Sequence, residues 1–376
     1  MKTVRILHCA DIHFDTPFKE FTNEYAQNSK EEIKEVFNKI INICNDEKIQ
    51  VMLLAGDIFD NYTVSKSTLA FIKETIEKLK GTKVFISPGN HDPYNFKSFY
   101  KLIDWPENVH VFKSDMERVV IDELELCVHG GAFTDNYVNE SMLKNIDIYD
   151  GYINIGVIHG ELASGLSGNE YNPITLKDIE DSKLDYLALG HRHKFNGILK
   201  EGITSYAYSG CPQGRGFDET NEKGVLIGEV SNGYANMVFK KTCKREYLEK
   251  EIDITSLFGY KEVKEKIIEE LKDFNIKEDI FKVTLTGSLE ASFKIDEKVL
   301  KEKLNKDFYF IKIKDNTNII SNTDDVYNEH SIKGIFIKNL NDKISSATGE
   351  EKEIIELALK IGLQSLTSEE VNLDDY

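Results

Sequence analysis

Five short segments combine side chains that hold metal ions with residues that let the backbone turn: Asp11-Ile12-His13, Gly56-Asp57-Ile58-Phe59-Asp60, Gly89-Asn90-His91-Asp92, His159-Gly160 and Gly190-His191-Arg192-His193. Of the 9 histidines, those at 13, 91, 159, 191 and 193 fall in these segments, a clustering that scatter would not produce. A lone strand-end histidine is ordinarily a hydrogen-bonded core or loop residue, and a Gly-Asp pair an ordinary turn, so the joint pattern carries the reading. The donors are nitrogen and oxygen without sulfur, which suits Mn, Fe, Co or Zn rather than a structural thiolate zinc site. Two carboxylates, an amide oxygen and four imidazoles are more than one ion needs. They match two ions roughly 3.5 to 4 Å apart, bridged by a carboxylate and a water, an arrangement suited to in-line attack on phosphorus.

Each segment follows a strand-length apolar run. Residues Val4–Cys9, 51–55, 84–87, 125–129, Ile153–His159 and 186–189 read as strands ending in polar or glycine-rich turns. Between them, 30–44 and 65–79 carry apolar residues at helical spacing (Ile33, Val36, Phe37, Ile40, Ile41; Leu69, Ile72, Ile76, Leu79). Strand and helix in alternation predict an α/β layered sheet, whose strand ends share an edge where distant residues converge. In extended chain the i, i+2 spacing of Asp11 with His13, and of His191 with His193, points both side chains to one side. The glycines at 56, 89, 160 and 190 would let the backbone approach an ion without a Cβ in the way.

Past Gly210 the pattern changes: a glycine-punctuated loop, a hairpin turning at Ser231-Asn232-Gly233, and then, from Tyr247, strands and helices that predict a small α+β domain before two helical stretches. The net charge of −18 disfavours a diffuse basic surface, so contact with nucleic acid must be local, metal-assisted or shared with a partner. The 5 cysteines show no C-x-x-C spacing, which argues against a zinc knuckle or disulfide framework and for a reducing cytoplasm. With no 18-residue apolar run and no signal-peptide core, neither a membrane association nor export is expected.

In this order D-x-H, G-D-x-x-D, G-N-H-D, H-G and G-H-x-H resemble the signature of calcineurin-like metallophosphoesterases, from Asp11 to His193. The segment Tyr208-Ser209-Gly210-Cys211-Pro212-Gln213-Gly214-Arg215-Gly216-Phe217-Asp218-Glu219 is similar to a loop of DNA-repair exonucleases of the SbcD and YhaO type. More loosely, Ala358-Leu359-Lys360-Ile361-Gly362-Leu363 resembles the C-terminal region of YhaO-like members. The resemblance implies an α/β fold, a layered β-sandwich flanked by helices, with a smaller α+β capping domain and C-terminal helices. The expected divisions are 1–242 for the dimetal nuclease domain, 243–320 for the cap and 321–376 for the helical region. It further implies one ion held by Asp11, His13 and His193, a second by Asn90, His159 and His191, with Asp57 bridging and Mn²⁺ as the expected metal. His91 would contact the scissile phosphate and stabilise charge or protonate the leaving oxygen, a role that suits an imidazole. Many relatives carry His where this chain has Asp60, which bears on phosphate positioning and digestion polarity.

Other residues read more plainly. His8 and Cys9 lie inside the first strand and read as core; His129-Gly130-Gly131 imitates the H-G motif; Asp15 and Asp92 suit roles in orienting turns or ligands. Arg192 and Arg215 are candidate phosphate contacts, the alternative for each being a surface ion pair. No G-x-x-x-x-G-K-[ST] loop is present, so the chain is not expected to hydrolyse ATP by that route; the resemblance implies DNA as substrate and a separate coiled-coil ATPase of the SbcC or YhaN kind as partner. The helices at 331–366 are expected to dock that partner or a second copy in a homodimer, or else to pack on the chain itself. A phosphoesterase of small molecules or phosphoproteins, and a non-catalytic scaffold on the same fold, are the competing readings.

Overall fold

The computed structural model describes residues 2–19, 21–60, 63–163, 170–290, 293–320 and 332–367. The chain divides into two compact units, 1–246 and 247–376.

Runs that are apolar at every position, not at alternate ones, must be covered on both faces. In the first unit this holds for the central strands of the series Val4–Cys9 (β1), Val51–Leu54 (β2), Lys83–Ile86 (β3), Val109–Val111 (β4), Glu117–Ile121 (β5), Leu126–Gly130 (β6) and Ile153–His159 (β7). Glu161–Leu162 (β8), Pro173–Ile174 (β9), Tyr186–Gly190 (β10), Leu199–Glu201 (β11), Thr204–Tyr208 (β12), Gly224–Ser231 (β13) and Tyr234–Lys241 (β14) follow. One sheet has the order β14-β13-β1-β2-β3-β4 and the other β11-β12-β10-β7-β6-β5. β1 to β4 are mutually parallel, as are β12, β10, β7 and β6, while β13, β14, β11 and β5 pair antiparallel. Val4, Ile6, Val51, Leu53 and Phe85 of the first sheet meet Ile155, Val157, Tyr186 and Ala188 of the second in one buried layer. The alternate residues Leu7, Met52, Leu54 and Ile86 face Asn23–Asp46 (α1) and Lys66–Ile76 (α2), and Leu187 and Leu189 pack with Ile179 of Leu176–Ser182 (α3). The first unit is therefore a layered β-sandwich flanked by helices.

The second unit carries Tyr247–Asp253 (β15), Tyr260–Glu270 (α4), Ile280–Thr286 (β16), Ser288–Glu290 (β17), Glu297–Leu304 (α5), Phe310–Asp315 (β18) and Asn318–Ile320 (β19). β15, β16 and β18 form a parallel sheet whose apolar residues close with Val263, Ile267, Leu300 and Leu304 of the two helices into a separate core. Ile332–Ile344 (α6) and Glu350–Thr367 (α7) pack on each other, with the Phe336 ring so close to Gly362 that a Cβ there would lie 2.1 Å from it. Of the region 321–376, residues 321–331 and 368–376 lie outside the described part. Among the described residues no helix is long and apolar enough to cross a membrane.

Candidate metal centre

The carboxyl ends of β1, β2, β7 and β10 run directly into Asp11, Asp57, His159 and His191, and Asn90 follows β3 by a short turn. The expectation that Asp11, His13 and His191 sit on extended backbone is corrected. Asp11 (φ 54°), His13 (φ 51°), Asp57 (φ 50°) and His191 (φ 105°) lie in the left-handed region, because each loop must turn at once on leaving its strand. Such conformations persist only where the surroundings over-determine them. Here the 11–14 segment is tied to the next loop by Asp11 N–H to Gly56 O (3.0 Å), His13 N–H to Asp57 O (3.0 Å) and Phe14 N–H to Ile58 O (2.7 Å). The glycines make room for protein neighbours: a Cβ on Gly190 would lie 1.6 Å from Ala55 O, and one on Gly89 2.2 Å from Asp57 Oδ1.

The result is that all seven expected ligand positions converge. Asp11, His13 and His193 each place a donor atom within 4.8 Å of the others, as do Asp11, Asp57 and His159. His13 Nε2 faces His193 Nε2 at 3.3 Å, and His193 Nε2 lies 3.9 Å from Asp11 Oδ1. Asn90 Oδ1 is 2.9 Å from His159 Nε2 and 3.3 Å from His191 Nδ1. Between the two groups Asp57 Oδ2 stands 3.6 Å from His13 Nε2 and 3.4 Å from His159 Nε2. His13, Asp60 and His91 make a further donor group on the outer side of His13.

Burial sets the electrostatics. It pushes Asp11 up to about 7, with the like charge of Asp57 adding and His193 opposing, and it raises Asp57 as well. The same loss of water lowers His159 and His191 to about 4 and His13 well below its ordinary value. His193 differs: burial lowers it, but the Glu219 hydrogen bond and the charges of Asp11 and Glu219 outweigh that and raise it. Neutral His159 donates from Nδ1 to Ala55 O (3.0 Å), so its Nε2 lone pair is aimed at Asn90 Oδ1 and Asp57 Oδ2 with no hydrogen between them. Lone pairs of imidazoles held neutral, converging with buried carboxyl groups whose negative charge burial disfavours, are what a divalent cation satisfies. The residues present fit such ions.

Around this centre Asp92 accepts from Phe59 N–H, Gly89 N–H and Tyr100 Oη–H, fixing two of the loops, and Asp15 accepts from Ser65 N–H at the start of α2. His8 is core: its Nε2–H donates to Leu189 O and its Nδ1 accepts from Tyr186 Oη–H. His129 is buried in β6 beside Asn154 Oδ1, away from the seven. Arg192 is partly exposed with Glu161 3.4 Å away, whereas Arg215 is no surface ion pair: its side chain, 13% exposed, turns inward onto Glu219 and Asp60. Contacts that sequence reasoning missed are Ala55 O on His159, Asn172 Nδ2 to His159 O (2.7 Å), and Glu219 Oε1, 2.7 Å from His193 Nδ1. Only Glu219 left a trace, as the acid closing the Tyr208–Glu219 loop; a backbone carbonyl has no letter to read.

The sequence is 29% identical over 263 residues to an uncharacterized metallophosphoesterase, YhaO, of Bacillus subtilis, covering 66% of this chain and 63% of that protein, so the match spans under two thirds of the relative. It is 23% identical to the SbcD subunit of the SbcCD nuclease of Staphylococcus epidermidis (61% of this chain, 67% of that protein) and 25% identical to the corresponding subunit from Staphylococcus saprophyticus (61% and 66%). Two solved structures show a looser likeness at 11% identity. TT1561 of Thermus thermophilus has a TM-score of 0.40 over 63% of this chain and 99% of its own, and purple acid phosphatase PPD1 of yellow lupin 0.39 over 64% and 52%. The sequence pattern of calcineurin-like phosphoesterases, whose fold binds divalent metals, matches residues 4–195, which take in all the converging donors. With more than half of its length inside that pattern, the chain belongs to the calcineurin-like phosphoesterase family.

Proposed function

We propose that this chain is a divalent-metal-dependent nuclease that hydrolyses DNA phosphodiester bonds, with Asp11, His13 and His193 holding one ion, Asn90, His159 and His191 the other, and Asp57 serving both. The observation that carries this is the single oxygen Asp57 Oδ2, within 3.6 Å of a histidine nitrogen of each group. Bound ions, Mn²⁺ by proposal, would supply Lewis acidity toward phosphate and a water acidified to near-neutral pKa. The chain's own residues do the rest. His91 donates from Nδ1 to Asp60 O (2.6 Å) and its backbone N–H to Asp57 Oδ1 (3.0 Å), so the exposed ring is held with Nε2 free to hand a proton to a leaving oxygen. Arg192, the more exposed of the two candidate arginines, is the better placed to meet phosphate.

DNA as substrate is supported by the two relatives named as nuclease subunits. A net charge of −18 makes a second subunit with basic surface physically attractive, and we assign that part to a coiled-coil ATPase. In this reading 1–242 hydrolyses, 243–320 acts as the cap and 321–376 docks the partner. The test is purified chain with Mn²⁺ on single-stranded DNA, duplex DNA and a generic diester, beside EDTA controls. DNA cleavage is expected, and His91→Ala should keep its bound metal while turnover falls roughly 10²- to 10⁴-fold. Hydrolysis of the diester without cleavage of DNA would instead make the chain a small-molecule or phosphoprotein esterase. Metal binding with no hydrolysis would make it a scaffold.

A further inference from the structure

The loop that follows β12 closes on His193 at both its backbone and its ring. His193 O accepts from Lys223 Nζ (2.9 Å) and Cys211 N–H (3.4 Å), and Gly210, at φ 72°, lies so close that a Cβ would be 3.0 Å from the same oxygen. On the ring, Nδ1 is 2.7 Å from Glu219 Oε1. Glu219 is buried and gripped in turn by Arg215, whose N–H reaches Oε2 at 2.7 Å and whose Nη2 reaches Oε1 at 2.5 Å. Arg215 Nη1 then donates to Asp60 Oδ1 (3.1 Å), which stands 3.2 Å from His13 Nδ1. One largely buried acid-base-acid chain thus runs from the outward nitrogen of His193 to the neighbourhood of that of His13, which Asp60 approaches without making a hydrogen bond. Among the described residues the other two ligand histidines show no such chain: His159 Nδ1 meets a carbonyl, and His191 Nε2 has half-buried Glu161 at 3.9 Å.

Withdrawing three charged groups largely from water is costly, and apolar residues of similar volume would ordinarily hold a loop as well. We propose that Glu219 is a positioning residue that accepts a hydrogen bond from Nδ1–H of His193, its contact being shorter than the 3.2 Å of Arg215 Nη2 to the same nitrogen, and so fixes the tautomer whose Nε2 lone pair faces Asp11 and His13, with Arg215 and Asp60 holding Glu219 in place. A carboxylate behind a ligating imidazole sets ring orientation and strengthens the donor. Asp60, where many relatives are expected to carry His, has its place here as the far anchor of Arg215. The inference rests on the reading of His193 as a ligand.

The full chain and its Glu219→Ala and Glu219→Gln variants are titrated with Mn²⁺ by equilibrium dialysis. Glu219→Ala should weaken one of two ions 10- to 100-fold and leave the second unchanged, the usual consequence of losing such a partner. Glu219→Gln, which keeps an acceptor oxygen, should recover part of that loss. Two ions bound by Glu219→Ala with wild-type affinity overturn the proposal. Imidazole ¹⁵N spectra of the wild-type chain loaded with Zn²⁺ decide it independently of how the variants fold: a proton on His193 Nδ1 is expected, and a proton on Nε2 overturns it. His193→Ala tells the two claims apart, since unchanged binding of both ions there would sink the ligand assignment itself.

Discussion

The two units bury different chemistry. In the sandwich, His8, Asp11, His13, Asp57, Asp92, His159, Asp185, Glu219 and Lys223 are all removed from solvent. In 247–376, among the described residues, Thr317 is the one buried polar side chain in a core of Leu, Ile, Val and Phe. Both units use parallel strands covered by helices, so the contrast is not one of architecture. A buried group that can carry charge destabilises the fold unless partners satisfy it, and proteins keep such groups where the chemistry needs them. The difference shows which unit reacts and which supplies ordinary stability, and it can be pressed from either side.

The largest expected effect is a separation of the units in acid. Burial holds His8 at about 3, opposed only by its bond to Leu189 O, against 6.5 in the unfolded chain. Between those values the unfolded state binds a proton that the native state refuses, so the contribution is complete above 6.5 and is lost as pH falls toward 3. At full extent the loss is about 5 kcal/mol as an order of magnitude. The shifted groups of the second unit, Asp253, Lys266, Glu270 and Lys272, are exposed and paired at the surface. Pulse-labelled hydrogen exchange at descending pH should therefore show β1 losing protection before β16, and His8→Gln should flatten the acid limb. Simultaneous loss of the two strands would erase the distinction.

How far letters alone lead is uneven in the same way. β1 and β7 fall on the residues that apolar runs mark, because nearly all of their side chains are buried along the whole element. Thr204–Tyr208 escapes notice: Thr-Ser-Tyr-Ala-Tyr reads as polar, yet it is buried throughout between β10 and β11. That five segments should meet at strand ends is legible, since a parallel sheet puts those ends together. The conformation of Asp11 and His13 is not, because extended spacing and a left-handed turn can deliver the same two side chains. Nor is the contact of Glu219 with His193, made across 26 positions by a loop whose path depends on Arg215 and Asp60.

A smaller effect should appear on removing one buried charge. Asp57 is 1% exposed and is raised chiefly by burial, so an ionised carboxylate there weighs against the metal-free fold. Asp57→Asn keeps an oxygen to accept from His91 N–H while the charge disappears. Without metal the variant should be more stable than the parent by about 0.5 to 2 kcal/mol, the usual gain from relaxing a functional site. Added Mn²⁺ should raise the Tm of the parent, as any ligand of the native state does, and leave that of Asp57→Asn unmoved. An equal Mn²⁺-induced rise in both would remove Asp57 from the centre.

The smallest change in stability belongs to the helix pair, where the second unit departs from its own rule by leaving apolar side chains outside. Ile332 is 79% exposed, Ile335 57% and Ile354 60%, with Leu357 one turn beyond at 42%. Single exposed apolar residues need no explanation, but an i, i+3 pair on each of two helices that pack on each other leaves apolar surface of the kind that marks an interaction site. The proposed occupant is the ATPase subunit, with a second copy of the chain as the other outcome. Ile335→Glu with Ile354→Glu should change unfolding free energy by no more than about 0.5 kcal/mol, since neither side chain has a core to leave. Mn²⁺-dependent hydrolysis of a small diester should persist, because every proposed ligand lies in the first unit. Light scattering after gel filtration, with and without the ATPase, should then lose the complex that the parent forms. If the doubly substituted chain still assembles, the patch is not the dock; if its stability drops by several kcal/mol, these isoleucines complete a core and the second unit follows its own rule after all.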